Sequence, residues 1–292
     1  TLAWLLDAPD LLDGHAGPWQ GRVATLGPVS PAVRAWLHEL DAAPAALHAY
    51  LDLQPFTRLG RYAERLMAFH LDHAGMLAAH GLQVRLESGP TIGEFDFLVR
   101  SPAGLLHWEF ATKLYLLEDS SLGCYADYFV GPGLADTLGM KIRKIMDRQL
   151  ALARHPAAAA CLPSPVAAAQ ALVKGWLFYH AGQAGTDTPP GIAPGHCRGF
   201  WVALHELQPQ AGHRYRILSR LEWLPPMRCP HDDVRTFGEL RERLVAQFDA
   251  DGAPMLVAVM EEVDGEWIET DRGFIVPSDW QERAAGSVEG LA

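Results

Sequence analysis

A change in hydrophobic period along residues 60–116 limits most strongly how this chain can fold. Tyr62, Leu66 and Phe69 recur at helical spacing, which predicts an amphipathic helix over about 60–79. The apolar side chains then alternate, which predicts three strands over 82–88, 92–100 and 105–116. Because short Ser-Gly-Pro and Ser-Pro-Ala-Gly turns join these strands, we expect an antiparallel meander.

The second and third of these strands carry acidic side chains among apolar ones. Side chains alternate between the faces of a strand, so Glu94 shares a face with Asp96, and Glu109 shares a face with Lys113. Carboxylates on apolar strands are costly unless partners or a cation compensate their charge. Convergent carboxylate oxygens suit Mg²⁺ or Mn²⁺, so one interpretation is a metal site. The other is a solvent-facing sheet on which Lys113 pairs with Glu109 or Glu94.

The second half of the chain predicts one strong helix followed by a β-rich section. The helix covers about 135–153, and a buried strand follows at 171–180. The segments GFWVALHEL and HRYRILSRLEWLPP predict a strand pair. The tail predicts a helix over 237–250, a strand over 255–263 and a hairpin whose turn is Asp-Gly. We therefore expect a mixed α/β (α+β) protein whose central sheet is flanked by helices.

Charge and cysteine content exclude several classes of protein. The 292 residues include 24 Lys and Arg against 35 Asp and Glu, which gives a formal net charge of −11. A uniformly basic nucleic-acid-binding surface is excluded, so any phosphate contact requires a local patch. The cysteines lie far apart without a CxxC pair, which excludes a zinc ribbon and favours a reducing cytoplasm. These cysteines are Cys124, Cys161, Cys197 and Cys229.

The sequence also argues against membrane insertion and export. The first residues, TLAWLLDAPDLLDG, have no basic region and carry acids within the apolar stretch, so we do not expect a signal peptide. The most apolar segment, AAAACLPSPVAAAQALV, is interrupted by two prolines, so we expect no transmembrane span.

A local basic patch is present on the predicted helix 135–153. Lys141, Lys144 and Arg148 are three and four residues apart, so they form one stripe on the helix surface. Such a stripe can follow a nucleic-acid backbone, or it can be the solvated side of an ordinary amphipathic helix. Gln149 lies near the apolar side of the helix, and we predict that it points at the acidic site.

Several segments of the sequence resemble a known bacterial family. GEFDFLVR, LLHWEFATKLYL, GPGLADTLGMKIRKIMDRQLAL, KGWLFYH and RGFIVPSDW are similar to the domain-of-unknown-function 1853 family, from about residue 60 to 280. The order of helix, strand, Asp-bearing strand, strand with Glu and Lys, helix and strand also resembles the core of the PD-(D/E)XK nuclease superfamily. The resemblance implies a restriction-endonuclease-like core with a β-rich C-terminal extension.

The superfamily resemblance assigns roles to individual residues. Asp96 matches the metal-binding aspartate, Glu109 matches the acid of the (D/E)XK element, and Glu64 falls where many of these nucleases place an additional acid. The lysine departs from the pattern, because the usual position holds Ala111 and the lysine is Lys113. Because strand faces repeat every two residues, Lys113 still lies on the face of Glu109 and Ala111, about 6–7 Å beyond the usual lysine position.

These matches imply a Mg²⁺ or Mn²⁺ ion on Asp96 and Glu109, with Glu64 as a further ligand. Lys113 would orient the attacking water or stabilise the transition state. Glu94 would hold Lys113 or act as a second metal ligand.

Three functional interpretations follow from the sequence. The first is a metal-dependent nuclease, and the second is an inactive protein of the same fold that acts as a nucleic-acid-binding or protein-interaction scaffold. The third makes the C-terminal section a protein-interaction module. The corresponding domain prediction is a helical extension at 1–55, a nuclease-like core at 56–205 and a β-rich section at 206–292.

Overall fold

The computed structural model describes residues 1–15, 17–51, 56–86, 89–118, 125–182, 187–230 and 233–289. Its helices are α1 (Leu2–Asp7), α2 (Pro31–Ala42), α3 (Ala45–Leu51), α4 (Leu59–His73), α5 (Leu138–Arg143), α6 (Pro156–Ala159), α7 (Phe237–Ala250) and α8 (Trp280–Glu289). Its strands are β1 (Leu77–Arg85), β2 (Thr91–Ser101), β3 (Gly104–Leu117), β4 (Phe129–Val130), β5 (Val166–His180), β6 (Cys197–Ala203), β7 (Arg214–Ile217), β8 (Arg228–Cys229), β9 (Met255–Val263) and β10 (Glu266–Val276). The expected mixed α/β class is therefore confirmed.

The chain divides into two compact units that interleave along the sequence. The first contains residues 1–112, 141–174 and 191–195, and the second contains 113–140, 175–190 and 196–292. The predicted ranges 1–55, 56–205 and 206–292 are consecutive instead, and they stay a prediction about domain organisation. Within the described residues, no helix is long and apolar enough to cross a membrane. None of the described cysteines, at 161, 197 and 229, forms a disulfide, and Cys124 lies outside the described residues.

In the first unit, α4 ends earlier than the sequence predicts. The helix stops at His73, and Gly75 adopts a φ of 68°, a left-handed conformation that commonly terminates helices. The chain reverses there, so β1 begins at Leu77 instead of residue 82. The helical period continued to about residue 79, but the glycine determined the end of the helix.

The predicted antiparallel meander is confirmed, since β1 pairs with β2 and β2 pairs with β3. Phe97 lies opposite Trp108 in the β2–β3 register, and Phe95 and Phe97 are fully buried. One position beyond that pair, Asp96 and Glu109 come side by side. The hydrophobic pattern of two strands therefore fixes where two carboxyl groups meet.

The predicted helix 135–153 is divided into three parts. It begins with α5, continues as a π-helix over Lys144–Gln149, and ends with a 3₁₀ turn over Leu152–Arg154. A π-helix has a wider turn than an α-helix, so side chains after residue 144 are rotated relative to the predicted stripe. Gln149 is the last residue of the π segment.

The second unit contains a mixed sheet in the order β5-β6-β10-β9-β7, with parallel pairing of β5 with β6 and of β6 with β10. The strand pair predicted from GFWVALHEL and HRYRILSRLEWLPP is wrong, because β6 lies between two other strands and β7 pairs with β9.

The β9–β10 hairpin is confirmed: Asp264 and Gly265 have φ values of 52° and 84°, as a tight hairpin turn requires. The predicted helix over 237–250 is α7, which starts with a capping box between Thr236 and Glu239.

Gly175 on β5 allows a very close approach between two backbones in the second unit. Its φ is 152°, and a β-carbon there would overlap the carbonyl oxygen of Lys113. We expect Gly175→Ala to lower the free energy of unfolding by at least about 2 kcal/mol through steric overlap and backbone strain. Gly133→Ala is the control, since a β-carbon at Gly133 meets nothing within 4 Å. Denaturant unfolding checks both variants, and equal stability of the two would contradict the prediction.

Candidate metal centre

Three carboxylates from α4 and β2 lie close together in the first unit. One oxygen of each of Glu64, Glu94 and Asp96 lies within 4.8 Å of the others. The buried face of α4, which includes Ala63, places Glu64 at the edge of the packed surface, where it is half-buried. Glu94 is exposed and Asp96 is half-buried. The cluster therefore opens to solvent on one side.

Asp96 is also coupled to a fourth carboxyl, that of Glu109 on β3. The two carboxyls are close enough to share a proton when one of them is protonated, and the backbone N–H of Phe110 donates to Asp96 Oδ2 at 2.9 Å. The Phe110 N–H therefore holds Asp96 between β2 and β3. Glu109 itself is 1% exposed, which makes it the most deeply buried acid of the group.

Two polar side chains hold Glu109 in place. The Nε2 atom of His107 lies 2.8 Å from Glu109 Oε1, and the Nε2 amide of Gln149 donates to Glu109 Oε2 at 2.5 Å. His107 is two residues away on the same strand face, whereas Gln149 reaches the site from the π-helix. Gln149 therefore does point at the acidic site, as its position on the predicted helix suggested.

The electrostatics of the site favour protonated acids in the absence of a cation. Burial, and then the negative charge of Glu109, raise the pKa of Asp96 to about 8. Burial also raises the pKa of Glu109 to about 7, with further contributions from Glu64 and Glu94. Because carboxylates crowded in a low-dielectric site repel one another, a cation bound among them would relieve both burial and repulsion.

His107 is neutral at physiological pH. It is fully buried, and burial lowers the pKa of its imidazole to about 4. We assign the proton to Nε2, because that nitrogen faces the carboxylate of Glu109. Within the described part of the chain, Nδ1 of His107 has no hydrogen-bond partner. His107 therefore positions Glu109 without adding charge.

His80 belongs to the site as well, and the sequence reasoning missed it. Its Nε2 atom lies 2.7 Å from Glu64 Oε1, and its ring stacks on Phe97 at 5.3 Å between centroids. The sequence placed residue 80 between a helix and a strand, so no face could be assigned to it. The period-2 pattern did put His107 on the face of Glu109, but it gave no role to the histidine.

The three carboxylates of the cluster offer oxygen ligands, which are the type that hard divalent cations prefer. Oxygen ligands bind Mg²⁺ at 2.0–2.1 Å and larger divalent cations at somewhat longer distances. Two ligands on opposite sides of such an ion are about 4–5 Å apart, so oxygens that lie within 4.8 Å of one another are close enough to share one ion. The residues that can hold a metal are Glu64, Glu94 and Asp96, while both oxygens of Glu109 already have hydrogen-bond partners.

The predicted basic residues differ in their relation to this site. Lys144 is exposed, and its positive charge opposes part of the rise in the pKa of Glu109. Arg148 is exposed and Lys141 is half-buried. Lys113 is half-buried and belongs to the second unit, so its predicted role at the metal stays a prediction.

We expect the stability of the metal-free protein to fall as pH rises from 6.5 to 9. With raised pKa values, the folded state binds protons at Asp96 and Glu109 that the unfolded chain has already lost. Asp96→Asn removes one charge and keeps an acceptor for the Phe110 N–H, so its decline should be smaller. We expect the melting temperature of the wild type to fall at least about 3 °C further than that of Asp96→Asn, which corresponds to about 1 kcal/mol of unfolding free energy. Melting temperatures in EDTA test this, and parallel declines would contradict it.

Comparison with known proteins identifies the family of this chain. The model of a family described as a domain of unknown function (DUF1853) matches residues 1–276, so the chain belongs to that family. No curated protein and no solved structure matches it significantly.

Proposed function

We propose that this member of the DUF1853 family is a divalent-metal-dependent nuclease that hydrolyses phosphodiester bonds of nucleic acid. The observation that carries the proposal is the cluster of Glu64, Glu94 and Asp96 beside the buried Glu109. Four acids at one place, two of them with raised pKa values, are costly to the fold and are typical of a functional site. A bound cation would compensate that cost, and the acids would then act together as its ligands or as neighbours of its ligands.

The chemistry of the donor set fits Mg²⁺ or Mn²⁺, because all the candidate ligands are carboxylate oxygens. Such an ion, held by Glu64, Glu94 and Asp96, would lower the pKa of a bound water and neutralise charge on the phosphate. Asp96 lies centrally, since it adjoins both the cluster and Glu109. The Phe110 N–H fixes its orientation before any ligand arrives.

The other polar residues keep Glu109 in one geometry. His107 and Gln149 each bind one of its oxygens, so the carboxyl cannot rotate away from Asp96. Glu109 could bind the ion if His107 or Gln149 released one of its oxygens, or it could accept a proton from water. Outer hydrogen bonds of this kind orient metal ligands in many proteins.

A cation is needed near the reacting phosphate, and two lysines are candidates. The superfamily pattern favours Lys113, and the electrostatic effect on Glu109 favours Lys144. If Lys113 serves the reaction, Lys113→Ala should reduce cleavage at least 100-fold, which is the usual size of such an effect. Lys144→Ala would then reduce cleavage only slightly. Initial rates with Mn²⁺ on a labelled oligonucleotide compare the two, and the opposite ranking would assign the role to Lys144.

We expect the metal-free protein to bind Mn²⁺ at one site and Asp96→Asn to abolish that binding. The substitution removes the central carboxylate of the cluster while it preserves the size of the side chain. Asp249→Asn is the matched control, because Asp249 is an exposed acid on α7 in the second unit. Isothermal titration calorimetry measures all three proteins.

Binding that is lost only in Asp96→Asn, together with Mn²⁺-dependent cleavage of single- or double-stranded oligonucleotides, supports the nuclease. Equal binding by wild type and Asp96→Asn contradicts the metal site. Binding without cleavage of any DNA or RNA substrate contradicts the enzymatic activity.

A second candidate function is a nucleic-acid-binding scaffold that has lost catalysis. The observation that favours it is Ala111, which occupies the position where the superfamily pattern has its lysine. A protein of this kind would bind nucleic acid equally well with and without Mn²⁺. The two functions are separated by cleavage, because only the nuclease changes the length of a labelled strand.

A further inference from the structure

We propose that the groove beside the carboxylate cluster binds one strand of a polynucleotide, and that Arg58 and Arg61 hold its phosphates. The inference deepens the proposed function and rests on it for the identity of the polyanion. The groove has a volume of about 770 Å³ and lies within the first unit. Glu64, His80 and Glu94 line one part of it, and three arginines of α4 and its N-cap line another.

Arg58 and Arg61 are available to a ligand. Both are exposed, and within the described residues neither side chain makes a hydrogen bond or an ion pair. Arg58 is the N-cap residue of α4, but its side chain does not cap the helix. Their guanidinium groups are therefore free to pair with an anionic ligand in the groove, and guanidinium groups match phosphate oxygens well.

Arg65, in contrast, is already fixed. Its guanidinium donates to the carbonyl oxygen of Tyr50 at 3.2 Å and lies over the Tyr50 ring at 4.2 Å from the centroid. Arg65 is half-buried, so it forms part of the groove wall and adds positive charge to it. This residue therefore contributes to the field of the groove more than to direct binding.

Arg58 and Arg61 lie near the start of α4, and Glu64 of the carboxylate cluster follows them along the helix. Arg61 and Glu64 are three positions apart on neighbouring turns of α4, and Arg58 immediately precedes the first residue of the helix. At a rise of 1.5 Å per residue, Arg61 is about 4.5 Å along the axis from Glu64, and Arg58 lies further towards the same end of the helix. A strand whose reacting phosphate lies at Glu64 would therefore present its neighbouring phosphates to Arg61 and Arg58.

The size of the groove favours one strand over a duplex. About 770 Å³ is within the range of pockets that enclose small ligands, so it admits a few nucleotides of one strand. Phe56 also lines the groove, is half-buried and packs on Tyr62 at 5.5 Å between ring centroids. An aromatic side chain beside arginines is the usual composition of single-strand sites, where bases stack and phosphates pair with cations.

The mixture of charges argues for a polynucleotide over an acidic peptide. Glu64 and Glu94 would repel peptide carboxylates at one end of the groove. A polynucleotide carries a phosphate at every step, so one phosphate can meet the arginines while the next shares a cation with the carboxylates. The groove also differs from the predicted stripe of Lys141, Lys144 and Arg148, none of which lines it.

The test measures binding without requiring cleavage. The probes are a fluorescein-labelled 12-mer of deoxythymidylate, the matching oligouridylate and a 12-base-pair duplex, each titrated in EDTA and followed by fluorescence anisotropy. The variant is Arg58→Gln/Arg61→Gln. Its matched control is Arg241→Gln/Arg243→Gln, which removes two exposed arginines from α7 in the second unit.

We expect the groove variant to bind the single strands at least tenfold more weakly, while the control stays within twofold of wild type. Loss of two phosphate contacts should also reduce the slope of log K against log salt by about 1.4. The two single-stranded probes distinguish DNA from RNA. Binding by the groove variant within twofold of wild type would overturn the inference, as would tighter binding of the duplex or a comparable loss only in Lys144→Gln/Arg148→Gln.

Failure of the inference and failure of the proposed function give different results. If Mn²⁺ binding and cleavage persist while Arg58→Gln/Arg61→Gln binds normally, only the groove assignment fails. If the arginines control strand binding but Mn²⁺ neither binds nor supports cleavage, the nuclease fails and the groove stands. Mn²⁺ titration and melting of the variant show whether its fold and carboxylates are intact.

Discussion

The contact between the buried Glu109 and the half-buried Asp96 on neighbouring strands is the constraint on which the candidate site depends. Asp96 and Glu109 meet because the β2–β3 register pairs Phe97 with Trp108, and the surrounding apolar side chains hold that register. A shift of one residue would expose the buried phenylalanines, so the acids cannot separate by slippage. Their charge must be met by protons, by hydrogen-bond donors or by a cation.

The surrounding residues meet only part of that requirement. The Phe110 N–H serves Asp96, and His107 and Gln149 serve Glu109. These neutral donors orient the carboxyls but add no positive charge, and Glu64 and Glu94 add more negative charge nearby. A site arranged in this way has a high affinity for protons at neutral pH, and under the proposed function a divalent cation would relieve the same repulsion.

Local charge matters more than total charge in this protein. The chain carries a net charge of −11, yet the groove beside the carboxylates contains arginines at 58, 61 and 65. An acidic surface elsewhere would discourage nonspecific binding of polyanions, while the groove would attract one strand of them. In the proposed function the acids would hold a metal and the arginines would hold phosphates, and hydrolysis of a phosphodiester would use both.

The sequence by itself determined the meander, the shared strand face of His107 and Glu109, and the hairpin at Asp264, because period and turn chemistry are local. Only the tertiary structure decided which distant groups join them. Glu64, His80 and Gln149 reach the strands through helix packing, an early helix end at Gly75 and a π-helix. The resemblance suggested Glu64 and the helical pattern suggested Gln149, but the contacts of all three residues depend on how separate elements pack against one another.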